Sequence, residues 1–385
     1  MREKSSEEKI EEQLLHHRVK KVYKILLILL LIAAGVFAVW YQLENQVYTR
    51  YEQSSRMERV GSEQSKYLDY NGALICYSMD GIMAYDTNGN QLWNQTYQMQ
   101  NACVDVAGDY VAVADYQGNR IFLLNKQGLV TTIDTNIPVL FVKASAGGVV
   151  MAALQDEDTV FLRMYKSDGS LVTNYRTTMR GFGYPMTYAI SPDNIKVGIS
   201  YMRAISGKVS TAVAFYNFGG VGQNETDNLV SSYECEDETV PYIAYLNDTD
   251  AVAVGSKKVR IFSGKQTPKL EKEYELDREI NAVFSGGEHF ALVTDSDDER
   301  YDIHVYDKGG NEKVVWPCDF EYTDISLLSD RMLIYNQTRL VVVSYNNVVK
   351  FDGQLSGSIL HVIPTDRYAG FFVVYEDKSE RIRLR

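Results

Sequence analysis

The chain has 385 residues, of which 45% are hydrophobic and 12% aromatic. This composition supplies a large folded core and excludes an intrinsically disordered protein, which requires low hydrophobicity. The 51 acidic residues outnumber the 39 basic ones, and the net charge of −12 excludes nucleic acid as a partner of the folded part.

Residues 1–24 are predicted to form a cytoplasmic helix. Ser5 and Glu8 have the spacing of a capping box, which satisfies the first free N–H groups of a helix. A partial apolar stripe at helical spacing follows, made of Ile10, Leu14 and Leu15. The stripe is too short to indicate a coiled coil, so a helix leading into the next segment is the interpretation.

Residues 25–43 are predicted to form a transmembrane signal anchor. The run from Ile25 to Leu43 carries no charge and, as a helix, spans roughly the 30 Å of a bilayer core. A basic cluster precedes it and predicts a cytoplasmic N-terminus; the cluster comprises Arg18, Lys20, Lys21 and Lys24. A cleaved signal peptide is the alternative, but the run is longer than an ordinary signal-peptide core, and residues 34–39 offer no small-x-small cleavage site.

The polar residues 44–60 are interpreted as a juxtamembrane linker, and residues 61–385 as one extracytoplasmic domain. The protein is therefore expected in the cell membrane, crossing it once, with its C-terminal domain outside. The acidic surface of this domain is repelled by anionic headgroups, so the linker is expected to hold it away from the bilayer.

The domain repeats one pattern of short strands joined by turns rich in Gly, Asn and Asp. Two examples are residues 84–89 and 305–310, where such residues supply the positive φ that tight turns need. Each unit contains a second hairpin upstream, giving four strands in about 40 residues, which is typical of a β-propeller blade. The predicted first strands of the units lie near Leu68, Val104, Leu140, Tyr188, Ile243, Ala282, Ile325 and Leu360.

This spacing predicts an all-β fold, a propeller of four-stranded blades, after one N-terminal transmembrane helix. Eight blades are predicted and seven are the alternative, because insertions at 202–209 and 219–241 obscure two of the units. The last unit ends at its third strand, Ile382–Arg385, so its fourth strand has to come from residues just before Tyr67. Such a closure removes the exposed edges of the ring.

The repeat motifs support a resemblance to known propellers. Residues 86–93 and 307–316 resemble the D-x-x-G-x-x-x-W repeats of quinoprotein-type propellers, and residues 189–194 are similar to the S-P-D-G turn of WD-like and TolB-like propellers. With its anchor, the whole chain resembles a bacterial family of single-pass membrane proteins bearing an extracytoplasmic propeller. The resemblance implies an architecture and leaves the activity open.

An enzyme is not expected, and neither is a cofactor. A quinoprotein-like oxidoreductase would stack a quinone on aromatic residues beside Ca²⁺, but the chain has no adjacent cysteine pair, and Trp93 and Trp316 are interpreted as packing between blades. The histidines of the domain, His289, His304 and His361, have no metal-ligand spacing. His361 is predicted in an innermost strand with a structural role.

Acidic turns are the most informative polar feature. Several join the second and third strands of their units, and the long insertion that includes Glu225 and Asp227 is interpreted as a connection on that same face. The candidate binding residues on this face are Asp156, Glu157, Asp158, Glu234, Glu236, Asp237, Glu238, Asp298, Glu376 and Asp377. Weak candidates for Ca²⁺ ligands are Asp295, Asp297 and Glu299, because hard cations prefer oxygen clusters. Ordinary solvated loop tips are the alternative.

The four cysteines are predicted to be unpaired and mostly buried, with a Cys76–Cys103 bridge as the first pairing to test. The function predicted from these features is a non-catalytic binding or scaffolding module in the cell envelope. Its expected partners are the membrane and a basic envelope or surface protein. The alternatives are a lectin-like propeller that binds glycans or peptides and, less favoured, the quinoprotein-like enzyme.

Overall fold

The computed structural model describes residues 6–157, 159–178, 183–205, 207–366 and 369–385, so Ser5 of the predicted capping box lies outside the described part. The chain divides into two compact units, with the boundary in the sequence between Val47 and Tyr48. The first contains one helix, α1 (Ser6–Glu44). Its segment Lys20–Val39 is long and apolar enough to cross a membrane, slightly upstream of the predicted 25–43.

The second unit consists of eight separate four-stranded antiparallel sheets, which is the architecture of an eight-bladed β-propeller. We number the blades in chain order. Blade 1 comprises β2 (Lys66–Tyr70), β3 (Ala73–Tyr77), β4 (Gly81–Tyr85) and β5 (Gln91–Thr96); blade 2 comprises β6 (Ala102–Ala107), β7 (Tyr110–Asp115), β8 (Arg120–Asn125) and β9 (Gly128–Asp134). Blade 3 comprises β10 (Val139–Ala144), β11 (Val150–Asp156), β12 (Thr159–Tyr165) and β13 (Leu171–Thr178); blade 4 comprises β14 (Tyr184–Ile190), β15 (Lys196–Ile205), β16 (Lys208–Asn217) and β17 (Leu229–Cys235).

The other half of the ring follows the same order. Blade 5 comprises β18 (Tyr242–Tyr245), β19 (Asp250–Val254), β20 (Lys258–Ser263) and β21 (Lys269–Glu275); blade 6 comprises β22 (Ile280–Gly286), β23 (His289–Asp295), β24 (Tyr301–Asp307) and β25 (Glu312–Cys318). Blade 7 comprises β26 (Asp324–Leu327), β27 (Arg331–Tyr335), β28 (Arg339–Ser344) and β29 (Val349–Gln354); blade 8 comprises β30 (Ile359–Pro364), β31 (Gly370–Tyr375), β32 (Lys378–Leu384) and β1 (Tyr51–Glu58). Each predicted first strand coincides with an observed one, and the prediction of eight blades is confirmed.

Strand β1 closes the ring. It pairs antiparallel with β32, with Tyr51 opposite Leu384 and Glu58 opposite Lys378. The predicted closure by a strand from the other terminus is thus confirmed. The strand lies inside segment 44–60, which is predicted to be a linker. In the structure most of that segment belongs to the propeller, because the edge of β32 requires a partner. Only Asn45–Val47 separates α1 from the second unit.

The core of the propeller is divided among the eight contacts between neighbouring blades. Apolar residues of facing second and third strands pack there, and both repeat tryptophans are buried in such contacts: Trp93 between blades 1 and 2 and Trp316 between blades 6 and 7. The D-x-x-G turns position these strands. In the first of them, an Asp86 carboxylate oxygen accepts hydrogen bonds of 2.8 Å from the backbone N–H groups of Asn88 and Asn90.

Candidate binding faces

The two flat faces of the propeller differ in charge. We call the face formed by the turns between second and third strands and by the connections between blades the connector face; the remaining turns form the hairpin face. The acidic loop residues of the connector face in the described part are Glu63, Asp80, Glu157, Glu236, Asp237, Glu238, Asp277, Glu279, Asp297, Asp298, Glu299, Asp319, Glu321, Glu376 and Asp377. Its basic loop residues there are Arg59, Lys257, Arg278 and Arg300.

The hairpin face is closer to electrical balance. Its acidic loop residues in the described part are Asp86, Asp109, Asp168, Asp193, Glu225, Asp227, Asp248, Glu288, Asp330 and Asp366. Its basic ones are Arg50, Lys126, Lys166, Lys265, Lys308 and Arg385. The excess of negative charge is therefore concentrated on the connector face, where it produces a field that attracts cationic partners.

The structure places the acidic turns of blades 3, 6 and 8 between second and third strands, on the connector face, although Asp158 lies outside the described residues. The interpretation of residues 219–241 as one connection is wrong. Strand β17 divides that segment, so Glu225 and Asp227 lie on the hairpin face, whereas Glu236 and Asp237 lie on the connector face. The sequence does not reveal β17, because its residues 229–235 include three polar ones, Ser231, Ser232 and Glu234.

Glu238 does not form part of an exposed docking surface. Its carboxylate accepts a hydrogen bond from Arg260 Nη2 at 2.8 Å, and Glu273 accepts one from Arg260 Nε at 2.6 Å. The side chains of Arg260 and Glu238 are only 7% and 11% exposed. Removing one partner of such a pair leaves a buried charge uncompensated, so Glu238 has a structural role between blades 4 and 5.

Four other predicted acidic residues have basic neighbours on the surface. Arg203 binds Glu234 at 2.7 Å, and Lys208 binds Asp237 at 2.9 Å. Two further pairs are Arg278 with Asp297, and Arg56 with Asp377. Such exposed pairs contribute little to stability but reduce the net charge that a partner meets.

The three candidate Ca²⁺ ligands do not converge. Asp297 is paired with Arg278, whose second nitrogen donates to the backbone carbonyl of Asp295, and the Asp295 carboxylate accepts a hydrogen bond from Asn281 at 2.7 Å. Within the described ranges, no group of three or more His, Cys, Asp or Glu side chains could hold a metal ion. The guanidinium of Arg278 thus contacts both Asp295 and Asp297.

The remaining predicted residues are exposed and free of side-chain ion pairs within the described part of the chain: Asp156, Glu157, Glu236, Asp298, Glu299 and Glu376. Beside Asp298 and Glu299 the structure adds residues that the sequence reasoning missed. Tyr301 donates a hydrogen bond of 2.8 Å to Glu321, which raises the pKa of the Tyr301 phenol, and the rings of Tyr301 and Tyr322 meet edge to face at 5.3 Å. In the sequence, these residues could have been found from the acidic and aromatic run 319–323, which connects blades 6 and 7.

These carboxylates and the two partly buried rings form what we call the acidic sector: Asp298, Glu299, Tyr301, Glu321 and Tyr322. Glu321 is paired with Arg300, so Asp298 and Glu299 are the carboxylates of the sector that have no ion pair in the described part of the chain. The turns of the sector come from blade 6 and from the connection to blade 7. Carboxylates and aromatic faces both attract ammonium and guanidinium groups, so the chemistry of the sector suits a basic polypeptide.

His361 lies in an innermost strand, as predicted. Its Nε2 contacts an Asp69 carboxylate oxygen at 2.8 Å, and its Nδ1 lies 3.1 Å from the hydroxyl of Tyr335, which donates to Asp324 at 3.2 Å. The network links blades 1, 8 and 7 across the point where the ring closes. This arrangement supports the structural interpretation of His361.

The four cysteines, all within the described residues, are free thiols. Cys76, Cys235 and Cys318 are buried and Cys103 is half-buried, in agreement with the prediction. The Cys76–Cys103 bridge is not formed.

The fold thus defines an eight-bladed β-propeller preceded by one apolar helix. Residues 44–384 match DUF5711, described as a family of unknown function, and the chain belongs to that family. No curated protein matches the sequence. The predicted propeller is confirmed, whereas the bacterial origin and the membrane anchoring of the resembled family remain predictions.

Solved structures share the fold at low sequence identity. BamB from Moraxella catarrhalis is 12% identical with a TM-score of 0.52, over 87% of this chain and 100% of that one. Chaetomium thermophilum Sqt1, solved bound to the N-terminus of the ribosomal protein L10, is 8% identical with a TM-score of 0.56, over 87% and 100%. The computationally designed Ika8 protein is 10% identical with a TM-score of 0.55, over 88% and 100%. At these identities the likeness concerns the fold alone.

Proposed function

We propose that the protein is a membrane-anchored, non-catalytic binding or scaffolding module of the cell envelope. Its connector face, and above all the acidic sector, binds a basic protein partner outside the membrane. The observation that carries the proposal is the excess of acidic over basic loop residues on that one face. Opposite charges steer association and orient the partner.

The path of the chain supports this use of the connector face. Strand β1 starts at Tyr51 opposite Leu384, the end of β32, so the chain enters the propeller at the hairpin face. The connector face therefore carries no attachment to the helix. The segment Lys20–Val39 supplies the anchor in this proposal.

Rigid propellers present broad surfaces to polypeptides, and the Sqt1 structure records one bound to the N-terminus of a ribosomal protein. The present proposal takes its chemistry from this chain. Asp298 and Glu299 form no ion pair in the described part of the chain, because the neighbouring Arg300 is paired with Glu321. Exposed carboxylates of this kind lose little hydration in a rim contact and mainly accelerate encounter with a cationic surface.

Charge reversal tests the proposal. The variant Asp298→Lys/Glu299→Lys is compared with a matched control on the hairpin face, Asp248→Lys/Glu225→Lys. The two residues replaced in each variant are exposed. Both variants are cross-linked in the native membrane at physiological salt, and the captured proteins are quantified by mass spectrometry. We expect the first variant to capture about tenfold less of a basic partner than the parent chain does, and the control to capture the same amount as the parent. Equal capture by both variants would exclude the acidic sector as the binding surface.

A further inference from the structure

A cavity of about 110 Å³ lies between blades 3 and 4. Apolar side chains form its floor, aromatic rings form a wall, and polar groups surround its mouth. The floor residues are Met151, Leu162, Met164 and Ile199; the wall residues are Tyr175, Tyr216 and Phe218; the mouth residues are Thr173, Asn174, Asp227 and Asn228. The cavity is thus a shaped, mostly apolar site with a polar rim, the usual form of a site for an apolar group.

The insertion that stretches the fourth repeat builds one side of the cavity. It runs through two short 3-10 turns, Gly222–Asn224 and Thr226–Asn228, and contributes lining residues at both of its ends. A Cβ atom at Gly222 would lie 1.7 Å from the carbonyl oxygen of Asn217, so only glycine fits this tight path. Blades 1, 2, 3, 5, 6 and 7 join their third and fourth strands by shorter turns, so a four-stranded blade does not need this insertion.

Asn217 fixes the insertion to its surroundings. This fully buried side chain donates to the backbone carbonyl of Gln266 at 2.8 Å and accepts from the N–H of Gly219 at 2.7 Å. Asn228 in turn donates to the Asn217 carbonyl at 3.2 Å. The wall of the cavity is therefore held in place before any ligand binds, which lowers the entropic cost of binding.

The hydroxyl groups beside the cavity satisfy one another. The hydroxyls of Tyr201 and Tyr216 lie 3.0 Å apart, and that of Tyr175 hydrogen-bonds Tyr216. The rings of Tyr175 and Tyr216 stand 5.4 Å apart. With these polar atoms paired, the ligand is left mainly with ring faces, methyl groups and the thioethers of Met151 and Met164, which adapt their shape to an apolar group.

The surface around the mouth is apolar with one carboxylate. Leu171 and Val172, which immediately precede the lining residue Thr173, are 52% and 43% exposed, and Val221 of the insertion is 41% exposed. Asp227 at the mouth is exposed and has no ion pair within the described part of the chain. This rim suits an apolar side chain that is followed by a cationic one.

We propose that this cavity binds one aromatic or branched aliphatic side chain of an extended polypeptide, with a Lys or Arg beside it facing Asp227. The cavity of about 110 Å³ is somewhat smaller than the apolar cavity of about 150 Å³ that accommodates benzene, but it opens at its mouth, so it can receive a branched aliphatic side chain or the leading edge of an aromatic ring. The site lies at the hairpin-face end of blades 3 and 4 and is separate from the acidic sector, so it does not depend on the function proposed above. A single buried anchor of this kind commonly dominates the affinity of a peptide.

The test uses the full chain in nanodiscs and short acetylated peptides labelled with fluorescein. The peptides carry Phe, Leu or Asp at the centre, with either Lys or Glu on both sides, and binding is followed by fluorescence polarisation. Among the peptides with flanking Lys, we expect those with central Phe or Leu to bind at least about tenfold more tightly than the one with central Asp.

Three variants make the outcome specific. Thr173→Trp fills the mouth and should weaken binding of the Phe peptide by at least about tenfold. Thr173→Val preserves the size of the side chain and should bind the peptide as the parent chain does. Asp227→Lys should shift the preference from flanking Lys to flanking Glu. Because Asp227 is exposed, this last variant reports on the site even if Thr173→Trp fails to fold, which thermal unfolding detects.

Several results would overturn the proposal. Indifference to the central residue would mean that no side chain enters the cavity. Unchanged flank preference in Asp227→Lys would mean that the flanking residues do not face Asp227. Equal binding to nanodiscs without protein would assign the signal to lipid. Unchanged binding by folded Thr173→Trp would place the peptide elsewhere on the propeller.

Discussion

Burial changes the acidity of the thiols. It raises the pKa of Cys235 and Cys318 to about 11, although Arg260 and Arg339 respectively oppose the effect. Burial likewise raises the pKa of Tyr70 to about 12. Each of these groups holds its proton more tightly in the folded chain than in the unfolded one, so protonation is linked to folding.

The free energy of unfolding should fall as the pH rises from about 9 to 11. In this window the thiols of the unfolded chain ionise, whereas Cys235 and Cys318 remain protonated in the folded chain, so the unfolded state is favoured. Urea unfolding followed by tryptophan fluorescence at pH 7, 9 and 10.5 measures the effect. Cys235→Ala/Cys318→Ala should reduce the dependence on pH, with the remainder due to Cys76, Cys103 and buried tyrosines, whose pKa values burial also raises. Equal free energies of unfolding at all three pH values would contradict the raised pKa of the two thiols.

At the same scale, sequence patterns located acidic residues but could not sort them. Glu236 and Glu238 differ by two positions in one loop, yet the first is exposed and the second is buried against Arg260. Arg260 is 22 residues away in the chain and on another blade. No local pattern identifies such a partner.

Among the elements, the contact between blades 8 and 1 has the smallest apolar cluster of the eight in the described part: Val60, Leu74, Ile363, Phe372 and Val374. Polar contacts reinforce it. Arg59 donates to the backbone carbonyl of Glu376 at 3.1 Å, and the Val60 N–H donates to Ser379 Oγ at 3.2 Å. The closure of the ring therefore depends more on hydrogen bonds and on β1 than the other contacts do.

Removal of β1 should open the last blade. A chain starting at Tyr48 retains the strand and should unfold cooperatively, whereas a chain starting at Arg59 exposes the edge of β32 and should aggregate or unfold at lower temperature. Differential scanning calorimetry and light scattering provide the comparison. A synthetic peptide of residues 48–58 should restore the shorter chain, and a peptide with the same residues in scrambled order is its control. Equal stability of the two chains would show that β1 contributes little to closure.

At the scale of the whole molecule, an apolar helix joins a propeller through three residues, Asn45–Val47. Strand β1 (Tyr51–Glu58) occupies most of the segment 44–60 that is predicted to be a linker.

The anchor should be uncleaved, with the propeller outside the cell. A chain tagged at Met1 and after Arg385 is expressed in cells, and the intact cells are treated with protease. The basic residues before the span predict loss of the C-terminal tag and protection of the N-terminal one. Mass spectrometry of the purified protein should find the full length. A mature chain lacking Lys20–Val39 would identify a signal sequence, and protection of the C-terminal tag would indicate an inverted topology.

The sequence by itself determined the four-stranded unit, the eight blades and the closing strand, because strand alternation and turn chemistry are local and recur with each repeat. Only the tertiary structure decided that Glu238 is buried, that Arg278 lies beside Asp297, and that the insertion after Asn217 encloses a cavity with blade 3. These features arise from residues that are distant in the chain. Their juxtaposition depends on how neighbouring blades pack, and periodicity within a blade carries no information about it.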